Sequence, residues 1–84
     1  MPIIPSEHAL VRMRERGVTL EEVEETIELG CQQVGTGNQS SFKQSFDFCR
    51  EYHGVYCHLK HVTVHAVYED PNWVVKTVTV QYSR

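Results

Sequence analysis

Eighty-four residues can close one modest hydrophobic core, and 40% apolar with 23% charged residues is the balance of an ordinary globular domain. A formal net charge of −3 and a pI near 5.9 speak against a protein that binds nucleic acid through a general excess of Lys and Arg. Uninterrupted apolar runs stop at three residues, too short for a membrane span.

The front, "MPIIPSEH", has neither a basic start nor an extended apolar stretch, so a cytoplasmic chain without a signal peptide is expected. Ser6 is a good N-cap for a first helix, and Gly17 suits the left-handed position after its end. Ala9, Leu10 and Met13 then form its core-facing stripe. "TLEE" at 19–22 is a capping box, Thr19 capping and Glu22 reaching back, with Val18 and Val23 placed for a hydrophobic staple. Leu20, Val23 and Ile27 make the buried stripe of this second helix, and Gly30 ends it. The link between the helices is short, so they form a tight hairpin or corner.

"GTGNQSS" at 35–41 reads as a flexible connection, and three strands are expected after it. Residues 42–49 place Phe42, Phe46 and Phe48 on one face. Residues 55–68 are rich in β-branched and aromatic side chains, but Cys57 and Leu59 share one parity and Val62, Val64 and Ala66 the other. That switch predicts a bulge or break near Lys60–His61. "EDPN" at 69–72 is a turn signal, and residues 73–82 form the last strand with Val74, Val78, Val80 and Tyr82 on one face. Thr77 and Thr79 then share the other face with Trp73 and Gln81. The expected fold is α+β, a single domain over 1–84: two N-terminal helices on one face of a three- to four-stranded antiparallel sheet.

Charge is unevenly placed. Glu21, Glu22, Glu24, Glu25 and Glu28 are five of the eleven acids, so the rest of the chain has eight basic residues against six acidic ones. A basic face opposite an acidic helix is one outcome; a uniformly mixed surface is the expectation adopted. Within the first helix, His8, Arg12 and Arg16 recur every fourth residue and form one ridge beside the apolar stripe, where helix meets sheet. Arg12 can pair with Glu15, and Arg16 near the C-terminus complements the helix dipole, whereas a cationic His8 in the first turn opposes it. Such a ridge suits metal-free phosphoryl transfer on RNA. Imidazole moves a proton near neutral pH, and guanidinium groups hold non-bridging phosphate oxygens.

The remaining histidines lack zinc-ligand spacings, and His61 and His65 lie about 13 Å apart along a strand, so no metal or cofactor is expected. They read as half-exposed strand residues, with His65 held in reserve as a second acid/base group. Cys31, Cys49 and Cys57, odd in number and without CxxC spacing, are expected as free thiols, and Cys57 makes a weak candidate nucleophile. Phe42, Phe46, Phe48 and Trp73 are expected in the core; Tyr52, Tyr56, Tyr68 and Tyr82 suit sheet packing as well as base stacking.

The opening "HALVRMRERGVTLEEVEETI" resembles a family of small bacterial domains of unknown function. Their signature runs His-Ala, Arg-Met, Arg-Gly, a β-branched residue, Ser or Thr, and an acidic helix. The closing "VVKTVTVQY" at 74–82 resembles their Val/Ile-Thr strand more loosely. That family is similar in architecture to RelE- and BrnT-type toxins of toxin–antitoxin systems, and the resemblance implies endoribonuclease activity. On it, His8 is the expected general acid or base, Arg12 and Arg16 the phosphate binders, and Thr79 and Tyr82 lesser contributors. RNA and a cognate antitoxin protein are the implied partners. The alternative is a non-catalytic protein-binding module using the acidic helix at 19–29 and an exposed sheet edge.

Overall fold

The computed structural model describes residues 2–35 and 37–84. Both helices begin and end on the residues that their capping chemistry requires. In α1 (Glu7–Arg16) the Ser6 hydroxyl accepts the Ala9 N–H at 3.1 Å, and Gly17 closes the helix in the left-handed region at φ 69°. In α2 (Leu20–Leu29) the Thr19 hydroxyl accepts the Glu22 N–H and the Glu22 carboxylate accepts the Thr19 N–H, the reciprocal capping box. Gly30 follows with an ordinary φ of −76°. Space, not conformation, demands glycine there: a Cβ would collide with the carbonyl oxygens of Thr26 and Lys43.

The core is assembled from one face of each element. Ala9, Met13, Val18, Val23 and Ile27 pack on Phe42, Val62, Val64, Ala66, Val75 and Val78, with Ile3, Phe46, Trp73 and Val80 at its margin. Leu10 and Leu20, expected in the buried stripes, are instead 44% exposed, and Val18 in the short link fills the space between the helices and the sheet.

The sheet differs from expectation in number and direction. It has five strands, β1 (Ile3–Pro5), β2 (Cys31–Val34), β3 (Gln39–Tyr52), β4 (Val55–Glu69) and β5 (Asn72–Ser83), in spatial order β1-β5-β4-β3-β2. It is mixed: β1 runs parallel to β5, pairing Ile3–Pro5 with Trp73–Val75, and the other neighbours are antiparallel. Three residues, the last a proline, are too few for periodicity to show, and Pro5 is tolerated because β1 lies at an edge. β2 is also an edge strand, and its four residues are all exposed, so no alternation announces it. Of the stretch read as flexible, Gln39–Ser41 belong to β3 and Thr36 lies outside the described residues.

β3 and β4 form a long hairpin closed by His53 and Gly54, both at positive φ (52° and 79°), as a tight hairpin turn requires. The expected break in the 55–68 strand is absent: β4 is continuous, and the irregularity lies in β3, where Phe48 and Cys49 stand opposite His58. Lys60 keeps the helix-facing parity of Val62, Val64 and Ala66, so the change in buried face falls between Cys57 and Lys60, opposite that irregularity. A second irregularity lies in β5. His65 pairs with Thr77 and Ala66 with Val75, leaving Lys76 as the extra residue. Consequently Val75 rather than Val74 joins Val78 in the core, and Trp73 turns inward to meet Phe42 edge-on at 5.2 Å. Phe48 leaves the core for a separate aromatic group with Tyr82, and Arg50 lies over its ring at 4.7 Å.

Candidate functional site

Since both helices cover one face, alternation in β3, β4 and β5 delivers polar side chains to the other. Register sets them in three rows: Ser41–His65–Thr77, Lys43–Thr63–Thr79 and Ser45–His61–Gln81. Adjacent strands lie about 4.8 Å apart, so each row spans about 10 Å, the scale of one or two phosphodiester units. Lys43 stands diagonally between His61 and His65, which flank Thr63 on the neighbouring strand.

A cleft of about 620 Å³ opens over this face, lined by Arg16, Lys43, His61, Thr63, His65 and Thr79, with Tyr52 and Tyr82 also at its wall. Arg16 reaches it from α1. β1 is so short that β5 has a free edge beyond Val75, and the Arg16 guanidinium donates to the Val78 carbonyl there at 3.2 Å. Tyr82 holds the same helix end from below, its hydroxyl donating to the Arg16 carbonyl at 3.3 Å while its ring stacks on Tyr52 at 3.9 Å. Burial raises the Tyr82 phenol above its ordinary value, with the neighbouring Tyr52 adding to the shift. A smaller depression of about 280 Å³ adjoins the first row, lined in part by Ser41, His65 and Lys76.

His61 is the most constrained imidazole described. Its Nδ1 lies 2.8 Å from the Ser45 hydroxyl on β3, and its Nε2 lies 2.8 Å from the Ser83 hydroxyl on β5. The ring is thereby fixed across three strands. His65, by contrast, is exposed and makes no side-chain hydrogen bond among the described residues.

The expected site residues separate into two groups. Arg16, Thr79 and Tyr82 share the cleft. His8 and Arg12 do not line it: His8 is exposed on the first turn of α1, and Arg12 is paired with Glu15 at 3.0 Å. Lys43, His61 and Thr63 were not singled out as site residues from the sequence. The signal that brings them together is cross-strand register, which emerges only when the strands are paired.

The structure also sorts charge. Glu21, Glu25 and Glu28 project from α2 on the helical side, while the open face carries Lys43, His61 and His65, with Lys76 beside them and Asp47 as an acid on β3. Glutamates thus gather on α2, while the open face mixes two lysines with Asp47, imidazoles and neutral hydroxyls. Cys31 and Cys49 are exposed thiols, whereas Cys57 is buried. No three His, Cys, Asp or Glu side chains gather into a metal-holding group among the described residues, and none of the described helices is long and apolar enough to cross a membrane.

The model of one protein family, DUF4258, described as a domain of unknown function, matches residues 6–80. No curated protein and no solved structure matches the chain.

Proposed function

We propose that this chain, which belongs to the DUF4258 family, is a toxin-like, metal-independent endoribonuclease whose RNA lies across the open face of the sheet. The observation that supports this reading is the cleft in which Arg16 and Lys43 meet two imidazoles and a row of threonines. Arg16 and Lys43 stand at opposite ends of the row Lys43–Thr63–Thr79, so they bracket a bound phosphodiester, and the hydroxyls of Thr63 and Thr79 donate to its oxygens. Negative net charge does not oppose this, because five of the eleven acids lie on α2 on the far side and exposed charges beyond about 8–10 Å are screened at physiological salt. Arg12 and His8 lie one and two turns back along α1; they contact the flanking nucleotides. The cognate antitoxin covers the same open face.

The test is incubation of the purified chain with single-stranded RNA in EDTA. Cleavage that disappears in Arg16→Ala and Lys43→Ala supports the reading. RNA left intact by the wild-type chain rejects it.

A second reading rests on a different observation. β2 is an edge strand with exposed residues throughout, and Leu29 and Val34 are each 71% exposed beside it. A non-catalytic module would add a partner's strand there, with the glutamates of α2 selecting a basic segment. Inert behaviour toward RNA, together with stoichiometric binding through β2, would favour it.

A further inference from the structure

We infer that His61 is the general base of the open-face cleft, with Ser83 as its positioning residue and the Lys43 ammonium as the general acid; this rests on the ribonuclease reading above. Both ring nitrogens of His61 are engaged at 2.8 Å, but their surroundings differ. The Ser45 side is open to solvent and the Ser83 side is partly buried. In the tautomer whose Nε2–H donates to the Ser83 hydroxyl, Nδ1 carries the basic lone pair. That lone pair faces the Ser45 hydroxyl, which lies beside the cleft in an adjoining depression that shares Lys43, His61 and Thr63 with it. The Ser45 hydroxyl marks the place of an incoming alcohol: a ribose 2′-hydroxyl that displaces it arrives within hydrogen-bond distance of Nδ1.

Lys43 precedes Ser45 by two residues on the same face of β3, about 7 Å along the strand, an interval its four-carbon stem is long enough to cross. The step then balances. Nδ1 takes the 2′-hydroxyl proton, the 2′-oxygen bonds to phosphorus, and the bond from phosphorus to the 5′-oxygen breaks. The leaving 5′-oxygen takes a proton from the Lys43 ammonium. The products are a 2′,3′-cyclic phosphate and a 5′-hydroxyl, and Lys43 regains from solvent the proton that His61 returns to it. Neither a metal nor a covalent intermediate is needed.

The experiment uses the full chain in EDTA, a mixed-sequence single-stranded RNA oligonucleotide, and its counterpart with 2′-deoxyribose throughout. His61→Gln is expected to lower cleavage about 100-fold or more while RNA affinity stays within about threefold. His61→Ala is expected to recover activity on addition of free imidazole. The deoxyribose strand is bound and not cut. Ser83→Ala loses about tenfold, and Ser45→Ala loses less, because the substrate hydroxyl replaces the Ser45 contact but not the Ser83 one. A His61→Gln chain that cuts like wild type overturns the assignment while leaving the ribonuclease reading in place. A wild-type chain that cuts nothing overturns both. Should the His61 variants fail to fold by circular dichroism, the serine pair decides: unequal losses in the stated order support the assignment, and equal ones overturn it.

Discussion

Lys60 places its ammonium 3.0 Å from the Glu22 carboxylate and 2.6 Å from the Gly17 carbonyl, although the residue is only 5% exposed. One cation thus ties β4 to both helices at their junction. The same carboxylate completes the α2 capping box, so three separate contacts depend on Glu22.

Removing the cation leaves that carboxylate and the Gly17 carbonyl without their partner in a partly enclosed site. Lys60→Ala is expected to cost about 2–4 kcal/mol, a fall of about 10–20 °C in Tm for a domain of this size. Lys60→Met with Glu22→Gln should cost less than Lys60→Ala alone, since no unpaired charge remains. Thermal denaturation followed by circular dichroism measures both.

Tyr82 links protonation to the cleft. Its phenol is raised above the ordinary value near 10, chiefly by burial, and the proton is needed to donate to the Arg16 carbonyl. A raised folded value stabilises the fold below the unfolded pKa, and the contribution is lost as pH climbs through the folded value. Absorbance at 295 nm should show Tyr56, Tyr68 and Tyr82 ionising later than model tyrosine, and one late tyrosine fewer in Tyr82→Phe. Alkaline loss of stability should be shallower in that variant.

The two cleft cations should act on RNA affinity through counterion release. Arg16→Ala and Lys43→Ala are each expected to reduce the slope of log K against log salt by about 0.7 for single strands. His8→Ala, a substitution outside the cleft lining, should reduce it by less, and Glu25→Gln on the far side should leave it unchanged. Fluorescence anisotropy with a labelled oligonucleotide across a salt series reads all four.

Gly30 should be intolerant despite its ordinary backbone. Gly30→Ala drives a methyl against the carbonyls of Thr26 and Lys43, both backbone atoms that cannot swing aside. A loss of about 1–3 kcal/mol is expected by urea denaturation. Because Lys43 sits on the displaced strand, RNA affinity should weaken with it.

Local chemistry was readable in the sequence. Ser6, Gly17, and Thr19 with Glu22 act within one helical turn, and each does in the structure what its residue type and spacing imply. The turn after Glu69 is equally local. Features that depend on distant partners were not readable. β1 and β2 are three and four residues long, short of any period, and exist because β5 and β3 accept them. The bulges sit where two strands disagree in count, which neither strand reveals alone. The site shows the same division. The helical ridge His8–Arg12–Arg16 follows from fourfold spacing, yet only Arg16 of the three reaches the cleft, because β5 has a free carbonyl for it to meet. Lys43, Thr63 and Thr79 are 20 and 16 residues apart in order, and only pairing makes them neighbours.

The parallel pairing of Ile3–Pro5 with Trp73–Val75 has a bearing on biosynthesis. β1 waits for β5, about 70 residues further along the chain, and Arg16 likewise waits for Val78. Such distant closures are slow to form compared with helical turns. A nascent chain stalled before β5 therefore has no assembled cleft, and a cell making this protein meets that surface only after translation has passed β5.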